Sequence, residues 1–565
     1  MTRLDSLEKA AGIRRKLGNY VSGRRAYGYL KRITRYHRIQ GSHGLQQAVE
    51  AVEALIVDEA PDLVEVTSYK YTGKNSPEWL QLPVAWDVYD ATLTVNGRIY
   101  RLQAHPTLPA AHTPPTDGIV EGEVVPVRDP LDPGEYEEKK DKIVLVTEHH
   151  RLAYRLAAEA GVAGVIFAMK DRNWDAFPYI GLFLTREEAS KYATPAVTVP
   201  WRLAGELEGK RVKIRVDADI GGPGEVPVLI AWLGDPQAGG PSLVAHICHP
   251  KPGANDNASG VASSLEAFIA LAEAVEAGDL EQPEGTLRLI LVPEYTGTTL
   301  LLEGWMHDLD ISGLNLDMVA RRGTLADPPR LTYAPITVGP SRTADTYYDV
   351  LLTTGGEAGI DYYMAGSDHD VLIGYGRDSV MMNQWPDPYY HSDLDDADTI
   401  DPGLLAATAL NAATTVYLEA TGYEPTGLAR MRIVERLASK AVANGGNTAL
   451  TAMVARLRYG VSLEALVPQW SPLRDDRTLR ARQPYYTGLL SGSLNLDDKI
   501  AVARKLKELG IGYNVLNEAI FAATRGYTVS RLHTELAAAY PRLMDEDLFK
   551  GVIELLIEAG FIEAS

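Results

Sequence analysis

Between residues 226 and 422 the chain alternates near-continuous apolar runs with helix-forming stretches. The runs are VPVLIAWLG (226–234), SLVAHICHP (242–250), TLRLILVPEYTG (286–297), LNLDMVA (314–320) and SVMMNQ (379–384). Between and after them stand SGVASSLEAFIALAEAVEAG (259–278) and the Ala-rich LLAATALNAATTVYLEATG (404–422). A strand that is apolar on both sides must be covered on both sides. The pattern therefore predicts an α/β fold with a mostly parallel mixed sheet sandwiched by helices.

In an open parallel sheet, functional groups collect at the carboxyl ends of the strands. His246 and His249 follow the second run, with Asp256 in the loop beyond. Glu294 follows the third run and Asp317 the fourth. GSDHD supplies Asp368 and His369, and the loop after SVMMNQ supplies His391. Taken singly, an Asp at a strand end is a helix cap or turn former, and a loop His is a solvated side chain. Their recurrence at successive strand ends argues for one site. Imidazole nitrogens and carboxylate oxygens suit zinc, and a carboxylate bridging two ions suits a co-catalytic pair. Glu294 suits a general base that takes a proton from water and returns it to a departing amine.

The only cysteine, Cys248, shares a strand face with His246 if the strand reaches that far, which would allow a Cys–His pair. That reading leaves Asp256, Glu294, Asp317 and His391 without a role. A small buried thiol is the plainer alternative.

The rest of the chain divides by composition. Residues 1–60 read as helices, and HPTLPAAHTPP (105–115) reads as a boundary. KIVLVTE, HRLAYRLAAEAGV and AGVIFAM form a βαβ pattern inside 118–205, read as a small inserted α/β unit. Residues 1–117 and 206–422 then make one discontinuous catalytic domain, and 423–565 a helical region with a winged-helix-like end. The basic stretch 14–38 reads as a solvated helix face. A net charge of -20 argues against binding nucleic acid or an anionic membrane surface. One cysteine in 565 residues rules out an internal disulfide framework, and no secretory signal or run of spanning length is visible. A cytoplasmic protein is the expectation.

The ordered set of motifs resembles the zinc aminopeptidases of the bacterial leucyl-aminopeptidase type (clan MH), whose relatives include glutaminyl cyclases and transferrin-receptor-like proteins. RIQGSHGLQQAVE, LVAHICHP, GANDNASGVA, LVPEYTG, LNLDMVA, GSDHD and YYHSDLDD carry the resemblance, over roughly residues 20–422. It implies a zinc exopeptidase fold, with 118–205 as a protease-associated-like insert. It also implies that Asp256 bridges two metal ions, that Asp317 binds one and His391 the other, and that Glu294 is the base.

Three departures stand out. The family's His-x-Asp is His246-Ile247-Cys248 here, so the Asp that would orient the histidine is missing and His249 becomes a second candidate ligand. His249 is favoured over His246, with room for both. The family's second Glu is Tyr295, a poor zinc ligand at neutral pH because an unperturbed phenol has a pKa of about 10. That leaves one metal position weak, vacant or rebuilt. The region from 423 on is additional. It is similar to a less studied aminopeptidase-like branch with a winged-helix-like C-terminus, which AWDVYDATL (85–93) also resembles.

The expected function is that of a metal-dependent exopeptidase, an aminopeptidase using one or two zinc ions on peptides. An acidic mouth, with Asp368 and His369 at its rim, would hold the substrate amine. No membrane or nucleic-acid partner is expected, and the C-terminal region offers a route to homo-oligomers. The rival readings are a glutaminyl-cyclase-like aminoacyltransferase and a non-catalytic binding or scaffold protein.

Overall fold

The computed structural model describes residues 3–170, 174–323, 331–335, 341–354, 359–360, 363–443, 473–488 and 491–565. Its centre is an eight-stranded sheet. In spatial order the strands are Glu65–Tyr71, Val226–Leu233, Leu287–Val292, Gly240–His246, Ile311–Leu316, Ser379–Gln384, Leu331–Pro335 and Gly359–Ile360. The four strands from Leu287–Val292 to Ser379–Gln384 run parallel. The strands on their flanks enter antiparallel. The expected α/β sheet is present, with four parallel strands in the middle and a short parallel pair, Leu331–Pro335 with Gly359–Ile360, at one edge.

Alternation along the strands sets the two layers. Leu229, Ala231 and Leu233 face helices His43–Glu59, Gly260–Glu276 and Pro402–Ala420. Val228, Ile230 and Trp232 face the other way. Helix Gly260–Glu276 has the apolarity of a membrane span, yet 89% of its most apolar window lies inside the fold. It is the core helix under the sheet.

The basic stretch 14–38 is only partly a solvated face. Arg25 pairs with the fully buried Glu266 at 2.8 Å, and Arg38 is wholly buried. Both side chains find oxygen partners inside the fold, which is what burying a guanidinium requires.

A second, seven-stranded sheet takes in Val84–Val95, Arg98–Arg101, Val120–Pro126, Ile143–Val146, Gly164–Phe167, Ala196–Thr198 and Arg211–Pro223. Its βαβ core runs through helix His150–Ala160. The unit expected over 118–205 thus extends to 84–223. The two long flanking strands pair with each other over ten positions and carry Val120–Pro126 on their edge.

The C-terminal helices Tyr513–Thr524, Val529–Ala539 and Glu546–Glu558 cover the second face of the central sheet. Leu516, Phe521, Leu532 and Phe549 share one core with Val371 and Ile290. The expected wing is not a hairpin. Leu479–Ala481 pairs antiparallel with Ile562–Ala564, and four α-helices lie between the two strands. Most of Val529–Ala539, the helix a winged-helix reader would insert into a groove, is buried in this packing.

Candidate active site

Three neighbouring parallel strands deliver the first residues to one edge of the sheet. His246 ends its strand opposite Val292, Glu294 lies two residues past that valine, and Asp317 follows Leu316 directly. Asp256 comes from the loop after His246, and His391 from the loop after Gln384.

Both loops are clamped by buried polar groups. The Arg38 guanidinium donates to the carbonyls of Ile247, Pro252 and Gly253. Burial pushes its pKa down to about 10. The Asp395 carboxylate accepts from the backbone N–H of Asn255 at 2.8 Å and of Asp256 at 2.9 Å. Gly253 has φ 54°, and a Cβ there would stand 2.3 Å from His249 Nδ1, so the turn needs glycine.

Asp256 is the hub. Its Oδ1 lies 3.2 Å from His246 Nε2, and its Oδ2 lies 3.3 Å from His249 Nε2 and 3.1 Å from His391 Nε2. His246 Nε2 is also 3.4 Å from Asp317 Oδ1. The other nitrogens face backbone carbonyls: His246 Nδ1 the Cys248 oxygen at 3.0 Å, and His249 Nδ1 the Pro250 oxygen at 2.9 Å. A histidine that gives its Nδ1–H to a carbonyl turns an Nε2 lone pair inward, as metal-ligating histidines do.

Two groups result, each with ligand atoms within 4.8 Å of one another: His249, Asp256 and His391, and His246, Glu294 and Asp317. His249 Nε2 and Asp317 Oδ1 are buried without a hydrogen-bond partner. A buried polar atom left so is costly, and a cation held in each group would satisfy them. This donor set fits zinc.

The electrostatics agree. Burial alone would raise the Asp256 carboxyl, but His249, His246 and His391 outweigh it and hold it well below the usual carboxylate range. Burial alone would lower His246, but Glu294, Asp317 and Asp256 raise it well above its ordinary value. Burial raises Glu294 well above the carboxylate range; His246 opposes this, while Asp317, Asp368 and Asp256 add to it. A carboxyl poised this way can both accept and return a proton.

His246 and His249, weighed as alternatives from the sequence, fall into different groups on either side of Asp256. Tyr295 is not directed to either. Its hydroxyl donates to Asp370 Oδ2 at 2.5 Å, and Asp370 also receives Tyr363. His249 is the third donor beside His391 and Asp256. Cys248 Sγ lies 4.0 Å from His246 Nδ1, the outer limit for a sulfur hydrogen bond, while that nitrogen faces the Cys248 carbonyl at 3.0 Å. The sulfur also accepts from the Glu294 backbone N–H at 3.1 Å and so helps seat that residue.

Asp368 and His369, expected at a rim, are fully buried. They open helix Asp368–Gly374, which points inward. Asp368 accepts from Tyr295 N–H at 2.9 Å and the Thr298 hydroxyl at 2.6 Å, and burial raises its carboxyl to about 6. Sequence reasoning missed Arg38, Asp395 and Tyr179. Arg38 was read as the end of a solvated basic stretch, and Asp395 lay inside YYHSDLDD as an unremarked charge. Tyr179 had no signal. It comes from the second-sheet unit, bonds the His391 carbonyl through its N–H at 2.7 Å, and sets its ring edge-on to His249 and His391.

A cavity of 1030 Å³ opens over these groups. Its walls come from the central sheet, from Arg151 and Tyr179 of the second-sheet unit, and from Tyr485, Lys507 and Asn514 of the C-terminal region. No acidic mouth is found among the described residues. The carboxylates lining the cavity are Asp256, Glu294 and Asp317, all at its floor.

The sequence profile of peptidase family M28 matches residues 240–416, the segment that holds all six of these side chains. No curated protein matches the chain significantly in sequence. Among solved structures, a peptidase M28 precursor from Shewanella amazonensis is similar over 75% of this chain and 98% of its own, at 18% identity and a TM-score of 0.56. BSAP, a zinc aminopeptidase from Bacillus subtilis, is similar over 70% of this chain and 94% of its own, at 17% identity and a TM-score of 0.53. A Clostridium acetobutylicum protein is similar over 99% of this chain and 100% of its own, at 13% identity and a TM-score of 0.51. At these identities the likeness is one of fold.

Proposed function

We propose that this chain, whose residues 240–416 match peptidase family M28, is a zinc-dependent aminopeptidase. The observation that carries the reading is Asp256, one carboxylate reaching three histidines on two sides. His249, Asp256 and His391 would hold one zinc ion, and His246, Asp317 and the other Asp256 oxygen a second. Bound there, zinc supplies a Lewis acid that polarises a carbonyl and makes nearby water more acidic.

The chain's own residues do the rest. The Cys248 and Pro250 carbonyls fix the imidazole tautomers. Tyr179 and Tyr390 pack on His391, Tyr390 stacking at 3.8 Å, and hold its ring in place. Glu294 takes a proton as water oxygen attacks the scissile carbonyl carbon. When the C–N bond breaks, Glu294 gives that proton to the departing nitrogen. Its buried setting makes both transfers feasible near neutrality.

Glu294→Gln tests this. The variant should keep its zinc by atomic emission and its folding transition, yet lose hydrolysis of an aminoacyl anilide by a factor of about 100 or more. Full activity in that variant would remove Glu294 from the mechanism.

A further inference from the structure

The wall of the cavity carries a charge pattern that the peptidase reading does not use. The chain has 75 acidic and 55 basic residues. Yet above the floor the cavity has no lining Asp or Glu among the described residues, while Arg151, Lys499 and Lys507 all line it, with His149 beside them. Such a sign reversal inside a low-dielectric cleft focuses a positive potential there.

Two elements supply it. Arg151 lies in helix His150–Ala160 of the second-sheet unit, and Lys499 and Lys507 lie in helix Leu496–Leu509 of the C-terminal region. The two units are joined where Ile500 enters the core around Leu152 and Leu156, and where Arg504 donates to the Leu131 carbonyl at 2.7 Å. The basic wall is therefore a built junction of two units. Arg151 lies over the Phe183 ring at 4.6 Å, and its charge reaches Tyr179, whose ring touches His249 and His391. At the other end, the Lys507 charge reaches His149. Lys499 is half-buried beside the Arg155–Glu188 pair, and burial with Arg155 holds its ammonium down to about 8.

We infer that the substrate is a short peptide whose leaving portion carries a carboxylate, held by Arg151 and Lys507 while its N-terminal peptide bond lies over Asp256. The inference rests on the peptidase reading and narrows it to anionic peptides of a few residues. The volume points the same way, since 1030 Å³ is the size of a cleft for a small ligand and not for a folded chain. The carboxylate can be the C-terminus of a di- or tripeptide or an acidic side chain just past the cut. Both present the same chemistry to a guanidinium and an ammonium.

The test compares three peptides on zinc-loaded protein: trialanine as the free acid, trialanine amide, and Ala-Glu-Ala amide. The free acid or the Glu peptide should exceed the neutral amide in kcat/KM by about tenfold, and which of them does identifies the source of the carboxylate. In the double variant Arg151→Gln with Lys507→Gln, the ratio of acid to amide should fall to within about threefold of one. Both side chains are exposed, so the variant disturbs no core. Equal hydrolysis of all three by the wild type, or an unchanged ratio in the variant, overturns this inference and leaves the peptidase reading standing. Failure to cleave any of the three overturns both.

Discussion

The hydroxyl of Tyr295 donates to Asp370 Oδ2 at 2.5 Å, away from Asp256 and the histidines. The residue directly after Glu294 thus turns away from the centre and enters a buried network. Asp370 also receives Tyr363 and the Gly366 N–H, and Asn517 of the C-terminal region bonds Tyr363 at 2.9 Å. Tyr295→Phe should therefore leave the zinc content unchanged and lower stability by about 1 kcal/mol, the usual cost of one lost internal hydrogen bond. Atomic emission and denaturant unfolding measure the two effects. Loss of a zinc equivalent would make Tyr295 a ligand after all.

Gly253 sits under His249. Its positive φ disfavours a side chain, and a Cβ would stand 2.3 Å from His249 Nδ1. Gly253→Ala should cost about 2 kcal/mol and weaken zinc binding through the displaced imidazole. The readout is a chelator competition at fixed pH, in which the variant should release zinc at lower chelator concentration. Equal retention would show that the turn adapts without moving His249.

Outside the cleft, Glu419 is half-buried against the sheet and accepts from the Ser312 hydroxyl at 3.0 Å. Burial, then the nearby Asp378, raises its carboxyl from 4.5 to about 7. Below both values the group is neutral in either state and costs nothing. As pH rises from about 4.5 through about 7 the unfolded chain ionises first, so folding loses stability. Glu419→Gln should be close to neutral at pH 5 and stabilising by up to about 3 kcal/mol at pH 8, measured by denaturant unfolding. The same difference at both pH values would contradict the buried-carboxyl account.

The sheet and most of the centre were legible because a parallel sheet forces its strand ends to one edge. His246, Glu294 and Asp317 follow from that rule with no knowledge of side-chain direction. Which Asp256 oxygen each of His246 and His249 faces was not legible. It depends on which carbonyl each Nδ1 meets, and the Arg38 clamp decides the path of that loop. Asp368 and His369 misled because a polar GSDHD reads as a surface turn, while its helix starts inside the molecule. The boundary at 118 failed for a related reason: the pairing of Val84–Val95 with Arg211–Pro223 joins segments more than a hundred residues apart. The role of the C-terminal helices as a cavity wall is a matter of tertiary packing, which amphipathicity alone does not direct.

The most direct measurement is zinc bound per chain in the wild type and in His246→Ala and His249→Ala. Two histidines on opposite sides of Asp256 predict two equivalents in the wild type and one in each variant. Two equivalents retained by His249→Ala would contradict the claim that this histidine completes the position from which Tyr295 has withdrawn.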